Sequence, residues 1–104
     1  MLYHITTQKT WDDQVSNPLF EAESLDTDGF LHLATASQVT GVLERYYRNV
    51  PDLLLLHIDP DNLPDPALVR YEPATDGDLF PHLYGPLPKE AILLVQVLEE
   101  QGRN

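Results

Sequence analysis

Hydrophobic and polar residues alternate from the first strand-like segment onward. In residues 2–6, Leu2, His4 and Thr6 share one side of an extended chain, and Tyr3 and Ile5 share the other. Tyr3 and Ile5 form the natural core pair, so His4 and Thr6 are expected to point to solvent or into a cleft. Thr7 can cap a helix running to about residue 16, with Trp11 and Val15 four apart on its buried stripe and Asn17-Pro18 as its stop. Residues 19–23 read as a short extended piece and Asp26-Thr27-Asp28-Gly29 as a turn. A strand follows over residues 30–35, where Leu31 and Leu33 take the core and Phe30 and His32 face away from it. Thr35 or Ser37 then caps a helix to about residue 49, on which Val39, Val42, Leu43, Tyr46 and Tyr47 recur at helical spacing.

The second half reads as strands. Residues 53–59, Leu-Leu-Leu-Leu-His-Ile-Asp, are almost continuously apolar, which predicts burial on both faces and a structural, hydrogen-bonded His57. A Pro/Asp-rich connection over 59–66 leads to a strand at 68–72, with Val69 and Tyr71 on one face and Arg70 and Glu72 on the other. Residues 73–78 read as a loop. Residues 79–87, Leu-Phe-Pro-His-Leu-Tyr-Gly-Pro-Leu, carry too much Pro and Gly for a regular element. A closing strand at 91–98 precedes a polar tail from about residue 99. Two helices in the first half and about five strands, without regular βαβ alternation, predict one α+β domain over 1–104. Its sheet is mixed or antiparallel and twisted, and Trp11, Leu31, Leu33, Val42, Leu54, Leu56 and Ile58 are expected in the core.

Composition narrows the function classes. The chain has 104 residues, enough for one modest core. Lys plus Arg number 6 against 17 Asp plus Glu, a net charge of −11. That balance opposes nucleic-acid binding, which needs a cationic face, and electrostatic binding to a membrane surface. With no cysteine, disulfides, thiol catalysis and iron–sulfur chemistry are excluded. No apolar run approaches the roughly 20 residues of a membrane span, and the start lacks the pattern of a signal peptide, so the expected location is the cytoplasm.

Candidate chemistry follows from the same alternation. The apolar residues claim one face of three strands, which leaves His4 with Thr6, His32, and Arg70 with Glu72 on the other faces. If these strands are neighbours, the polar faces form one floor, and the Pro- and Gly-stiffened segment carrying His82 and Tyr84 forms its wall. His4, His32, Glu72 and His82 are therefore expected around one pocket. Plainer readings stay open: exposed histidines, a surface Arg70–Glu72 pair, and a segment at 80–86 that covers a sheet edge. A metal site on His4, His32 and His82 with a carboxylate is a further alternative.

Three blocks carry a resemblance: Tyr3-His4-Ile5-Thr6, Gly29-Phe30-Leu31-His32-Leu33-Ala34-Thr35, and Leu79-Phe80-Pro81-His82-Leu83-Tyr84-Gly85-Pro86-Leu87. Together they resemble the family called domain of unknown function 952 over nearly the whole chain. That family is distantly similar to ADP-ribosyltransferase-like proteins. The resemblance implies their fold, NAD as a ribosyl donor, and an NAD- or ribosyl/nucleotide-using transferase or a degenerate relative of one. In this reading His4 and Thr6 hold the ribose, Glu72 and His32 are catalytic, and Arg70, His82 and Tyr84 bind the ligand. A non-catalytic small-ligand or protein-interaction domain is the alternative.

Overall fold

The computed structural model describes residues 1–74 and 77–98. The polar tail from about residue 99 and part of the 73–78 loop lie outside the described residues. Strand β1 (Leu2–Thr7) pairs antiparallel with β4 (Leu53–Ile58), which pairs antiparallel with β8 (Ile92–Val97), in the order β1-β4-β8. A second antiparallel sheet has the order β3-β6-β5, formed by β3 (Leu31–His32), β6 (Leu79–Leu83) and β5 (Val69–Pro73). The short strands β2 (Leu19–Phe20) and β7 (Leu87–Pro88) form a two-stranded ribbon. The α-helices among the described residues are α1 (Gln8–Asp12), α2 (Glu23–Thr27) and α3 (Val39–Tyr46). All pairings are antiparallel, and the α+β class expected from the pattern is the one observed.

The apolar run of β4 is buried on both faces because each face of its sheet is covered. Leu56 and Ile58, with Leu2, face a core shared with Phe20, Leu31, Leu33, Leu83 and Leu87. Leu53 and Leu55, with Ile5, pack instead against Leu43 of α3. This double covering corrects the expectation for His4 and Thr6. They share the Leu2 face, which is core, and each is only 7% exposed. Tyr3, assigned to the core by alternation, is half-buried on the α3 side. Leu31, Leu33, Leu54, Leu56 and Ile58 are buried as expected, whereas Trp11 and Val42 are only partly buried.

The helices are shorter than their patterns suggest. Helix α1 ends at Asp12, residues 13–16 continue as turns, and Val15 stands exposed rather than on a buried stripe. Helix α3 stops at Tyr46, with Tyr46 itself exposed. The 19–29 stretch holds a third helix, α2, which the sequence reading missed. It ends where Gly29 takes φ +84°, a left-handed conformation that glycine adopts without a Cβ penalty. The Thr7 cap is in place: its hydroxyl accepts from the Thr10 N–H at 3.2 Å. Thr7→Ala is expected to cost about 1 kcal/mol, read as a lower denaturant midpoint with an unchanged slope; an unchanged midpoint would show the cap to be idle.

The largest correction concerns residues 79–83, which form the central strand of the second sheet despite Pro81. Pro81 directs its backbone toward β3, where its carbonyl accepts from the Leu33 N–H at 3.0 Å. It has no N–H to return, and β3 ends at His32. The chain then crosses to the first sheet, where Tyr3 and Ala34 exchange two backbone hydrogen bonds of 2.8 Å. This crossing fixes the position of His32 relative to β1. Among the described residues no helix is long and apolar enough to cross a membrane.

Candidate functional site

Alternation on the second sheet sorts most of its side chains, although Tyr71 and Leu79, which share the inward parity, are exposed. Leu31, Pro81 and Leu83 turn inward and are buried. His32 pairs with His82, Arg70 with His82, and Glu72 with Phe80, so these even-numbered residues share the outer face. Tyr84, just beyond β6, is held by its backbone N–H on the Leu68 carbonyl and joins the same face.

Glu72 is the hub. His82 Nδ1 donates to Glu72 Oε1 at 2.8 Å and the Tyr84 hydroxyl donates to the same oxygen at 2.5 Å. Among the described residues Oε2 makes no hydrogen bond. The Tyr84 and His82 hydrogen bonds, helped by the charges of His82 and Arg70, hold the Glu72 carboxyl below the usual carboxylate range. The same carboxylate pushes the Tyr84 phenol up, because deprotonation would cost its hydrogen bond and set two anions together. The Arg70 guanidinium lies 5.0 Å above the Tyr84 ring.

An aromatic wedge fixes the imidazoles. Phe30 stacks on the His82 ring at 4.0 Å and meets the edge of His32 at 4.8 Å, and the two imidazoles lie 5.4 Å apart. His32 Nε2 engages Asp28 Oδ2 at 3.1 Å. With His82 Nδ1 committed to Glu72, its Nε2 is the nitrogen left to meet a ligand; on His32 that nitrogen is Nδ1. Phe30 and Asp28 were not among the residues singled out for chemistry. Their signals were present: Phe30 shares the strand parity of His32, and Asp28 lies four residues before it.

His32, Arg70, Glu72, His82 and Tyr84 are thus brought together. His4 and Thr6 are not on this face, because both lie in the core. The His4 ring sits edge-on to Phe20, and its Nδ1 donates to the His32 backbone carbonyl at 2.7 Å. Since a carbonyl only accepts, the Nδ1 tautomer is required. Burial lowers the His4 pKa to about 4, so the ring is neutral near pH 7. His4 therefore supports the site from beneath, through the β3 backbone. His57 is hydrogen-bonded, as expected, but it is half-buried and its partner is a side-chain amide rather than backbone or a carboxylate: Nε2 lies 2.8 Å from Gln96 Oε1, with the ring edge-on to Tyr3. Among the described residues, no three His, Asp or Glu side chains converge to hold a metal ion, and the burial of His4 separates it from the His32–His82 pair.

Residues 5–95 match the family described as "Protein of unknown function (DUF952)". The crystal structure of protein CC0527 from Caulobacter crescentus is similar at 26% identity and a TM-score of 0.86, covering 97% of this chain and 88% of that one. A double mutant of that protein superposes equally well at 25% identity, over the same shares of both chains. Its solution NMR structure has 26% identity and a TM-score of 0.80, covering 97% and 86%. No curated protein matches the chain.

Proposed function

The chain belongs to the family described as "Protein of unknown function (DUF952)", and within it we propose that the Glu72 face binds a ribosyl or nucleotide ligand and acts at its anomeric carbon. The observation that carries this reading is the Glu72 carboxylate, anchored on one oxygen by two donors while its other oxygen is open. Departure of a ring from the anomeric carbon breaks the C1′–N bond, and its electron pair leaves with the ring nitrogen. An oxocarbenium-like cation develops on the sugar. A fixed, ionised carboxylate beside it stabilises that charge more than it stabilises the neutral sugar. Water or an acceptor hydroxyl supplies the oxygen of the new bond, and His32, backed by Asp28, takes its proton. Arg70 offers a guanidinium for a phosphate, and His82 and Tyr84 line the ligand's path. His4 and Thr6, being buried, serve as scaffold in this scheme.

One observation favours binding without turnover. Phe30 covers a face of the His82 ring and the ring is little exposed, so less of that imidazole is available for proton transfer. A single experiment separates the readings. Ribose 5-phosphate, ADP-ribose and NAD are expected to raise the melting temperature, because a ligand held by the native state adds about 2.7 kcal/mol at a hundred times its Kd. Release of nicotinamide from NAD supports the transferase reading, and a thermal shift without release supports the binding domain. No shift with any of the three ends both.

A further inference from the structure

We propose that the ring bonded to the ligand's anomeric carbon docks in a cavity between α3 and β6, and that Gly41 keeps this cavity open; the inference rests on the ribosyl reading above. The cavity has a volume of about 270 Å³ and begins at Phe80, the cross-strand partner of Glu72 on the same outer face. A group leaving the anomeric carbon beside Glu72 therefore has Phe80 directly across the strand pair as an aromatic surface, in addition to the His82 and Tyr84 rings that hold the carboxylate. Pockets that enclose a whole drug-sized ligand run from roughly 300 to 1,000 Å³. This one suits a single ring system rather than an entire nucleotide.

The walls favour a flat, polar-edged ring. Phe80 supplies an aromatic face and Val42 an apolar side, and Ser37, whose hydroxyl lies 3.3 Å from the Thr35 hydroxyl, adds a polar group to the lining. The rim carries one cation, Arg45, and one anion, Asp78, so it exerts no net pull on a phosphate. The opposite wall is held rigid: the Gln38 amide donates to the Leu79 carbonyl at 2.8 Å and accepts from the Thr35 N–H at 3.0 Å.

Gly41 is the informative residue. It lies within the eight-residue helix α3, where glycine costs helix stability relative to alanine. Its backbone is not left-handed, and a Cβ built on it meets no atom within 4 Å among the described residues. Neither conformation nor packing in the protein demands glycine there. Gly41 is exposed and lines the cavity, so a side chain there would project into the open space at the cavity's edge.

The test compares AMP with ribose 5-phosphate, which carries a hydroxyl at the anomeric carbon where AMP carries adenine, in titration calorimetry. Wild type is expected to bind AMP at least tenfold more tightly. Gly41→Leu is expected to bring AMP down to the affinity of ribose 5-phosphate, leave ribose 5-phosphate unchanged, and hold or raise the melting temperature. Phe80→Leu, which removes the stacking surface without touching the helix, should erase the AMP advantage too, and it decides the matter should Gly41→Leu fail to fold. An AMP advantage that survives in the folded variants overturns the inference. So does equal affinity of wild type for the two probes, which leaves the ribosyl reading standing. Binding of neither probe overturns both.

Discussion

Between pH 7 and pH 4 the protein is expected to lose about 3 kcal/mol of stability through His4 alone. In the unfolded chain this imidazole takes up a proton near its ordinary value of 6.5, whereas burial lowers its folded value to about 4. Where only the unfolded state is protonated, stability falls with pH. The contribution is therefore complete above pH 6.5, erodes through the interval, and levels off once the folded ring is protonated too. A gap of about 2.5 on the pH scale, at 1.36 kcal/mol each, sets the magnitude. The ring cannot relieve the strain by turning outward, since its Nδ1–H is held by the His32 carbonyl and its edge lies against Phe20. His4→Asn retains a donor near the Nδ1 position but does not titrate. Urea unfolding at pH 7, 6, 5 and 4 should show a much flatter profile for this variant, even though it begins less stable for want of packing on Phe20. Parallel profiles for wild type and variant would place the acid sensitivity elsewhere.

The largest effect on activity is expected at Glu72. Glu72→Gln preserves an acceptor for the Tyr84 hydroxyl and His82 Nδ1 but removes the negative charge from the open oxygen. On the ribosyl reading proposed above, turnover should fall on the order of 100- to 1,000-fold, the usual consequence of deleting one preorganised electrostatic group. Affinity should change far less, because the charge is needed only when the cation develops. Stability should shift by no more than about 1 kcal/mol, as for a half-exposed residue whose neighbours keep their partners. The pH profile provides an independent check. Glu72 is held ionised below the ordinary carboxylate range by Tyr84 and His82, so the acidic limb governed by it should lie lower in wild type than in Tyr84→Phe. A Glu72→Gln variant with full turnover, or an acidic limb unmoved by Tyr84→Phe, would remove Glu72 from the chemistry.

Which features were readable in advance depends on how many faces of each strand are covered. On the second sheet one face is packed over part of its length and the other open, so a period of two suffices for most positions, Tyr71 and Leu79 being exposed on the packed side. Leu31 and Leu33 go in, His32 goes out, and Arg70 and Glu72 separate from Val69 in the same way. The apolar run of β4 likewise announced its own burial, and Thr7 its cap. On β1 the same period sorts residues into two sets, but both faces are covered, by the main core on one side and α3 on the other. No local pattern reveals a second covering layer, and for that reason His4 and Thr6 were expected outside and lie within. Pro81 misled for a related reason. The cost of its missing N–H depends on whether a strand lies opposite, and only the pairing shows that β3 ends there. The convergence of Glu72, His82, Tyr84 and Phe30 is likewise a product of register. The sequence by itself determined which side chains share a strand face, because the period of two is a property of the extended chain. Which of them meet, at which atom, and over which cavity was decided by strand order and by pairing between residues distant in the chain, such as His32 and His82, 50 positions apart.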